Sequence, residues 1–140
     1  MYITRKLAGL GCVFLFVTSA PSYAAPKTRA EQSIRSGFAL AQSCENEIDD
    51  DMGLYEECIG HAMSRAFANK YVLLGVHFQA WLVADLAARQ NSPRATTLRQ
   101  QQQRGTARQI RATGLSLNAL CQLKSIDCTG VRIRMRNHIG

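Results

Sequence analysis

Residues 71–89 read YVLLGVHFQAWLVADLAAR. The run is apolar nearly all the way round a helical wheel, the pattern of a helix with neighbours on several sides. Its length is also just sufficient to cross a bilayer, which takes roughly 18 or more apolar residues. It carries His77, Gln79 and Asp85, however, and ionisable groups are costly inside a membrane. The stretch is therefore read as the central helix of a packed core, and the chain without its leader as no integral membrane protein. His77, Trp81 and Asp85 recur at i, i+4 and i+8, so they share one face. That face is either the wet side of the helix or a polar site, and these three residues form the candidate ligand-binding group.

Upstream, Thr28-Arg29-Ala30-Glu31 is a capping box that starts a helix at Arg29. Ile34, Phe38, Ala41, Cys44 and Ile48 follow at helical spacing. The acidic run Asp49–Asp51 interrupts them, and Met52-Gly53 completes a turn. Asp51 is placed to cap a second helix over Met52–Ala68, with Glu56 and Glu57 near its positive end. Leu54, Cys58, Ala62 and Ala66 form one row of that helix; Tyr55, Ile59, Met63 and Phe67 form the next. Cys44 lies seven residues before Asp51 and Cys58 seven after it. Two antiparallel helices bring those positions to one height, within the reach a disulfide needs. Four cysteines allow three connectivities; this geometry selects Cys44–Cys58 and leaves Cys121–Cys128. Asn69 either ends the second helix or caps the central one, unless the two run on.

Downstream, Ser92-Pro93 is a restart signal, Ser at the N-cap and Pro at the first helical position. The fourth helix runs from Pro93 to Gly114 or Leu123. Ala95, Leu98, Ile110, Leu117 and Leu120 give it a sparse apolar side. Arg104, Arg108 and Arg111 lie together on the opposite side, and Gln100–Gln103 reads as solvated polarity. Gly105 and Gly114 each weaken the helix by about 1 kcal/mol relative to Ala. At the end, Val131, Ile133 and Met135 alternate with Arg132, Arg134 and Arg136. That is period two, so 131–137 is expected to be an extended basic tail.

The first residues read as an export signal. Arg5 and Lys6 precede the apolar run Leu7–Val17, and Ser22-Tyr23-Ala24 offers a small-x-small cleavage pattern. Pro26 would hinder a cut after Ala25, so the expected cut after Ala24 gives a leader over 1–24. Residues 25–140 then form a single helical domain of 116 residues. Cys12 has poor lipobox neighbours in Gly9 and Leu10. The four remaining cysteines are even in number, which in an exported chain means disulfides. The compartment is periplasmic or extracellular. Charge is uneven: residues 25–85 hold five Lys/Arg against nine acids, and residues 86–140 hold ten against Asp127 alone. The basic half points to another envelope or secreted protein, or to an anionic envelope surface.

Motifs for chemistry are missing from the sequence: no G-x-S-x-G, no H-E-x-x-H, no Gly-rich phosphate loop. Paired cysteines do not serve as nucleophiles. His77 and Asp85 are two turns apart, roughly 12 Å along a helix, too far for one to orient the other. Cys58 and His61 have ligand spacing at i and i+3, but only with a free thiol and two more ligands. The acidic turn fails the calcium-loop register, since Gly53 as sixth residue puts Ile48, Asp50 and Met52 at positions one, three and five. No cofactor, metal or catalytic residue is expected. Nucleic acid is not expected either, because 86–140 contains no Phe, Trp or Tyr to stack on bases.

The sequence thus describes an all-α domain, a small four-helix bundle around 71–89 stapled by two disulfides, with a short extended C-terminal tail. Its expected role is non-catalytic macromolecular binding, as an inhibitor or immunity-type partner or an accessory component of a cell-envelope assembly. Arg104, Arg108, Arg111, Arg132, Arg134 and Arg136 are the candidate contact residues. The alternative is a small-molecule or metal site around His77 and Trp81.

Overall fold

The computed structural model describes residues 28–139, with side chains through Met135. The leader over 1–24, Cys12, the cleavage bonds and the Arg136 side chain lie outside the described residues. From Glu31 onward the described helices form one compact unit. There are six α-helices and no strand among the described residues: α1 (Arg29–Gln42), α2 (Gly53–Ala66), α3 (Lys70–Arg89), α4 (Pro93–Thr113), α5 (Leu117–Lys124) and α6 (Cys128–Ile139). A short 3-10 turn, Ser43–Glu47, follows α1.

The first hairpin forms as the cysteine spacing requires. Cys44 and Cys58 are joined, with Cα atoms 5.7 Å apart, and Cys121 is joined to Cys128 at 5.5 Å. The details shift by a residue. Asp51 does not occupy the N-cap; Met52 does, at φ 63°, and Asp51 Oδ1 accepts a hydrogen bond from the Gly53 N–H at 2.9 Å. Since α1 stops at Gln42, Ile48 drops off its apolar face and is exposed. On α2 the buried stripe is Tyr55, Ile59, Ala62 and Ala66, which leaves Leu54 and Phe67 in solvent.

Asn69 caps α3, its Oδ1 accepting from the N–H groups of Tyr71 (2.9 Å) and Val72 (3.2 Å). Ser92 caps α4 with Pro93 behind it. Gly114, at φ 75°, closes α4 in the left-handed conformation that ends helices; α5 is therefore a separate helix.

Two apolar clusters form the core, and α3 stands between them. Val76, Ala80 and Ala84 face one cluster, with Tyr55, Ile59 and Leu98. Leu74, Phe78 and Trp81 face the other, with Ile34, Phe38, Leu120 and Met135. Ten residues of α3 are buried, and helix α4 runs along it more extensively than any other described element. Its apolar window passes the length and composition test for a membrane span, but 56% of that window is buried inside the protein.

Helix α1 crosses α3 where Gly37 meets Gly75. A Cβ on Gly75 would strike the Ile34 carbonyl oxygen and come within 2.9 Å of the Gly37 Cα. Side chains at both positions must therefore be absent for the backbones to touch.

Residues 131–137 are helical, not extended. Cys128, tied to Cys121, opens α6, and Val131 and Met135 are buried one turn apart while Ile133 is 56% exposed. Alternation over six residues fits a strand, but burial of the i, i+4 pair against α5 and α3 selects the helix.

Gly75→Ala should lower stability by about 2 kcal/mol, as overpacking against rigid backbone does. At Gly60 a new Cβ meets nothing within 4 Å, so Gly60→Ala should be neutral or stabilising by up to about 1 kcal/mol. Urea unfolding of the two variants checks both; equal effects would refute the close crossing.

Candidate functional site

The face shared by His77, Trp81 and Asp85 is buried, at 6%, 0% and 1% exposure. It is a polar seam against α4. His77 Nδ1 donates to Gln102 Oε1 at 2.7 Å, and Trp81 Nε1 donates to Gln103 Oε1 at 3.0 Å. Gln102 and Gln103 are themselves buried, not solvated. The imidazole lies flat against Gly105, where any Cβ would collide with the ring. Gly105, disfavoured in a helix interior, thus makes room for His77. Burial first, then the positive charge of Arg108, pushes the His77 pKa down, and the Gln102 hydrogen bond only partly offsets this. The neutral ring, with Nδ1 carrying the proton, keeps Nε2 as its lone-pair nitrogen.

Asp85 ends the seam. Three guanidiniums from three helices meet its carboxylate: Arg134 Nε at 2.8 Å, Arg89 Nε at 3.2 Å and Arg99 Nη1 at 3.4 Å. Arg134 also stands 5.8 Å from the Trp81 ring centroid, a cation–π distance. The i, i+4 partner Arg89 is readable from sequence. Arg99 and Arg134 are not, because nothing local ties them to Asp85. His77 and Asp85 keep separate partners and are not brought together.

A surface groove opens on the His77 side. It has a volume of about 330 Å³ and is lined by Met63, Ser64 and Phe67 of α2 and its end, Leu73 and His77 of α3, and Arg108 and Gln109 of α4. Phe67 is 80% exposed at its edge. Along α4, Arg104, Arg108 and Arg111 are all exposed, and among the described residues none pairs with a carboxylate. The Asp49–Asp51 turn does not reach them; the Asp51 carboxylate serves the Gly53 N–H, which holds its pKa below the usual value.

Of the other three arginines of the expected contact set, two have partners, and the Arg136 side chain lies outside the described residues. Arg134 is taken by Asp85, and Arg132 donates to Asn118 Oδ1. Cys58 lies in its disulfide, so it offers no thiolate beside His61. Comparison with protein-family models, with curated proteins and with solved structures finds no match to this chain.

Asp85→Asn should cost about 2 kcal/mol, less than the roughly 3–5 kcal/mol of a fully buried pair, because the freed guanidiniums can turn to water. Thermal melts check it, with Arg89→Ala, the exposed partner, expected to lose under about 1 kcal/mol.

His77 gives a pH dependence of definite sign. Its folded pKa is below the unfolded one, so the unfolded chain takes the proton first. Stability is pH-independent from this group above about 6.5 and declines as pH falls below that value. The difference in melting temperature between wild type and His77→Gln should therefore narrow from pH 7.5 to pH 5.5; a constant difference would contradict the depressed pKa.

Proposed function

We propose that this chain is an exported, non-catalytic protein that acts by binding an acidic partner in the cell envelope or among secreted proteins. The contact surface is the Arg104/Arg108/Arg111 stripe of α4 together with the adjoining groove edge at Phe67. One observation carries the reading: the three guanidiniums are exposed and uncompensated, while the arginines nearer Asp85 and Glu56 are paired. An exposed aromatic ring beside unpaired arginines combines residue types that are enriched at protein–protein interfaces. The two disulfides support an oxidising compartment. An inhibitor or immunity-type role fits a small rigid domain that presents one charged face, as does an accessory place in an envelope assembly.

A second reading is favoured by the groove itself. A volume of about 330 Å³ lined by His77, Arg108 and apolar side chains has the size and mixed lining of a small-ligand site. A neutral imidazole and a cation there suit a small organic anion with an apolar body.

Replacement of Arg104, Arg108 and Arg111 by Glu should weaken capture of the partner from envelope extract at least about tenfold, since several charge complements are reversed at once. Capture by the wild type should fall as salt is raised. Capture that survives the reversal unchanged removes the stripe as the interface. Perturbation of His77 ring resonances by small carboxylates, with the stripe variant binding its partner normally, would favour the groove.

A further inference from the structure

Three arginines share one carboxylate at the end of the seam, and the helices that supply them hold no second acid. Asp85 is the only Asp or Glu on α3, α4 or α6. One carboxylate neutralises one guanidinium, so the cluster retains two formal positive charges. Its geometry is held from beneath. The Asp85 side chain is only 2% exposed, whereas those of Arg89, Arg99 and Arg134 keep 51%, 29% and 32% of their surface.

The donors on the outer side are unused. Arg89 and Arg134 reach Asp85 through Nε, and Arg99 through Nη1. A guanidinium has five N–H donors in a rigid fork, so most of them point elsewhere, and no other hydrogen bond among the described residues takes them. The Trp81 ring under Arg134 restrains that side chain further. Convergent, partly desolvated cations with idle N–H groups are what bidentate oxyanion recognition needs.

We propose that the Arg89/Arg99/Arg134 cluster over Asp85 is an oxyanion site for a doubly charged phosphoryl group. A dianion matches the two uncompensated charges. A tetrahedral phosphoryl group offers three outer oxygens to forks arriving from three helices, where a planar carboxylate offers two. The same chemistry is presented by inorganic phosphate and by a phosphomonoester lipid headgroup. The site is separate from the Arg104/Arg108/Arg111 stripe and does not depend on it.

Calorimetric titration of the folded chain with inorganic phosphate, at constant ionic strength set by chloride, tests the assignment. Saturable one-to-one binding is expected, accompanied by a change in emission from Trp81, the single tryptophan, as Arg134 is drawn toward the anion. The variants Arg99→Gln and Arg134→Gln should each weaken binding about tenfold or more, the loss of a charge-assisted hydrogen bond. Where a Gln variant fails to fold by circular dichroism, Arg99→Lys and Arg134→Lys keep the charge, remove the fork and should still weaken binding. Reversal of the stripe arginines should leave phosphate binding unchanged, which separates this site from the proposed partner surface. Vesicles containing phosphatidic acid, compared with phosphatidylcholine alone, separate a headgroup from free phosphate: cluster-dependent vesicle binding assigns the headgroup, and phosphate binding without it assigns the soluble anion. No saturable binding by the wild type, or binding equal in the cluster variants, overturns the proposal.

Discussion

The imidazole of His77, the indole N–H of Trp81 and the carboxylate of Asp85 are taken out of water on the face of α3 that meets α4, and each must find its partner there. A helix buried on nearly every side has no wet face to which polar groups can be assigned. An unmatched buried polar group costs roughly 1–3 kcal/mol, so three of them would remove a large part of a small domain's stability. Helix α4 resolves this residue by residue: Gln102 for His77, Gln103 for Trp81, Arg99 for Asp85. The pairs also fix register. Sliding α4 by one turn would separate all three at once, which an apolar interface of equal area would resist less sharply.

Around that seam the remaining contacts position α3 rather than compete with it. Gly37 and Gly75 let α1 approach backbone to backbone on one side. The hairpin of α1 and α2 is held by Cys44–Cys58 across a separation of 14 residues, a loop whose closure stabilises by about 3 kcal/mol through the unfolded chain. Cys121–Cys128 closes a loop half as long. Its main structural consequence is local: it fixes where α6 starts, and through α6 it delivers Arg134 to Asp85 from a sequence distance of 49 residues.

The parts of the fold that were legible in the sequence are those written by local chemistry. Ser92-Pro93 marks a helix start because its side chain and ring act within a turn, and Asn69 and Gly114, each left between two readings by the sequence, carry local signals of the same kind. The symmetric placing of Cys44 and Cys58 about Asp51 gave the pairing by geometry. What stayed hidden depends on partners distant in sequence. Gln100–Gln103 looks solvated because glutamine is usually exposed, yet the apolar stripe of α4 breaks off between Leu98 and Ile110. Gln102, Gln103 and Thr106 fill that gap and are buried. A broken stripe opposite a central helix that carries His, Trp and Asp was the available signal for the seam. The last helix misled for another reason: six alternating residues carry too little periodicity to separate a strand from a helix that, among its described side chains, buries Val131 and Met135.

Net charge is a poor guide to where a basic protein makes contact, and the positions of the arginines show why. Arg94 answers Glu56 at the surface. Arg89, Arg99 and Arg134 crowd one buried carboxylate. On α4, Arg104, Arg108 and Arg111 are exposed and pair with no described acid. Helix α4 therefore carries cations in two physical states: Arg99 is held against Asp85 with arginines from α3 and α6, and Arg104, Arg108 and Arg111 are free in solvent. The immobilised set has already given up rotamer freedom to Asp85 and Trp81, so a ligand that meets it incurs less of the ordering cost that weakens recognition by long side chains. The free set retains that cost but keeps its charge at the surface, where it would act at a distance on the proposed acidic partner. The first arrangement suits the proposed oxyanion and the second the proposed acidic partner, and along α4 helix periodicity sets Arg99 on one side and Arg104, Arg108 and Arg111 on the other.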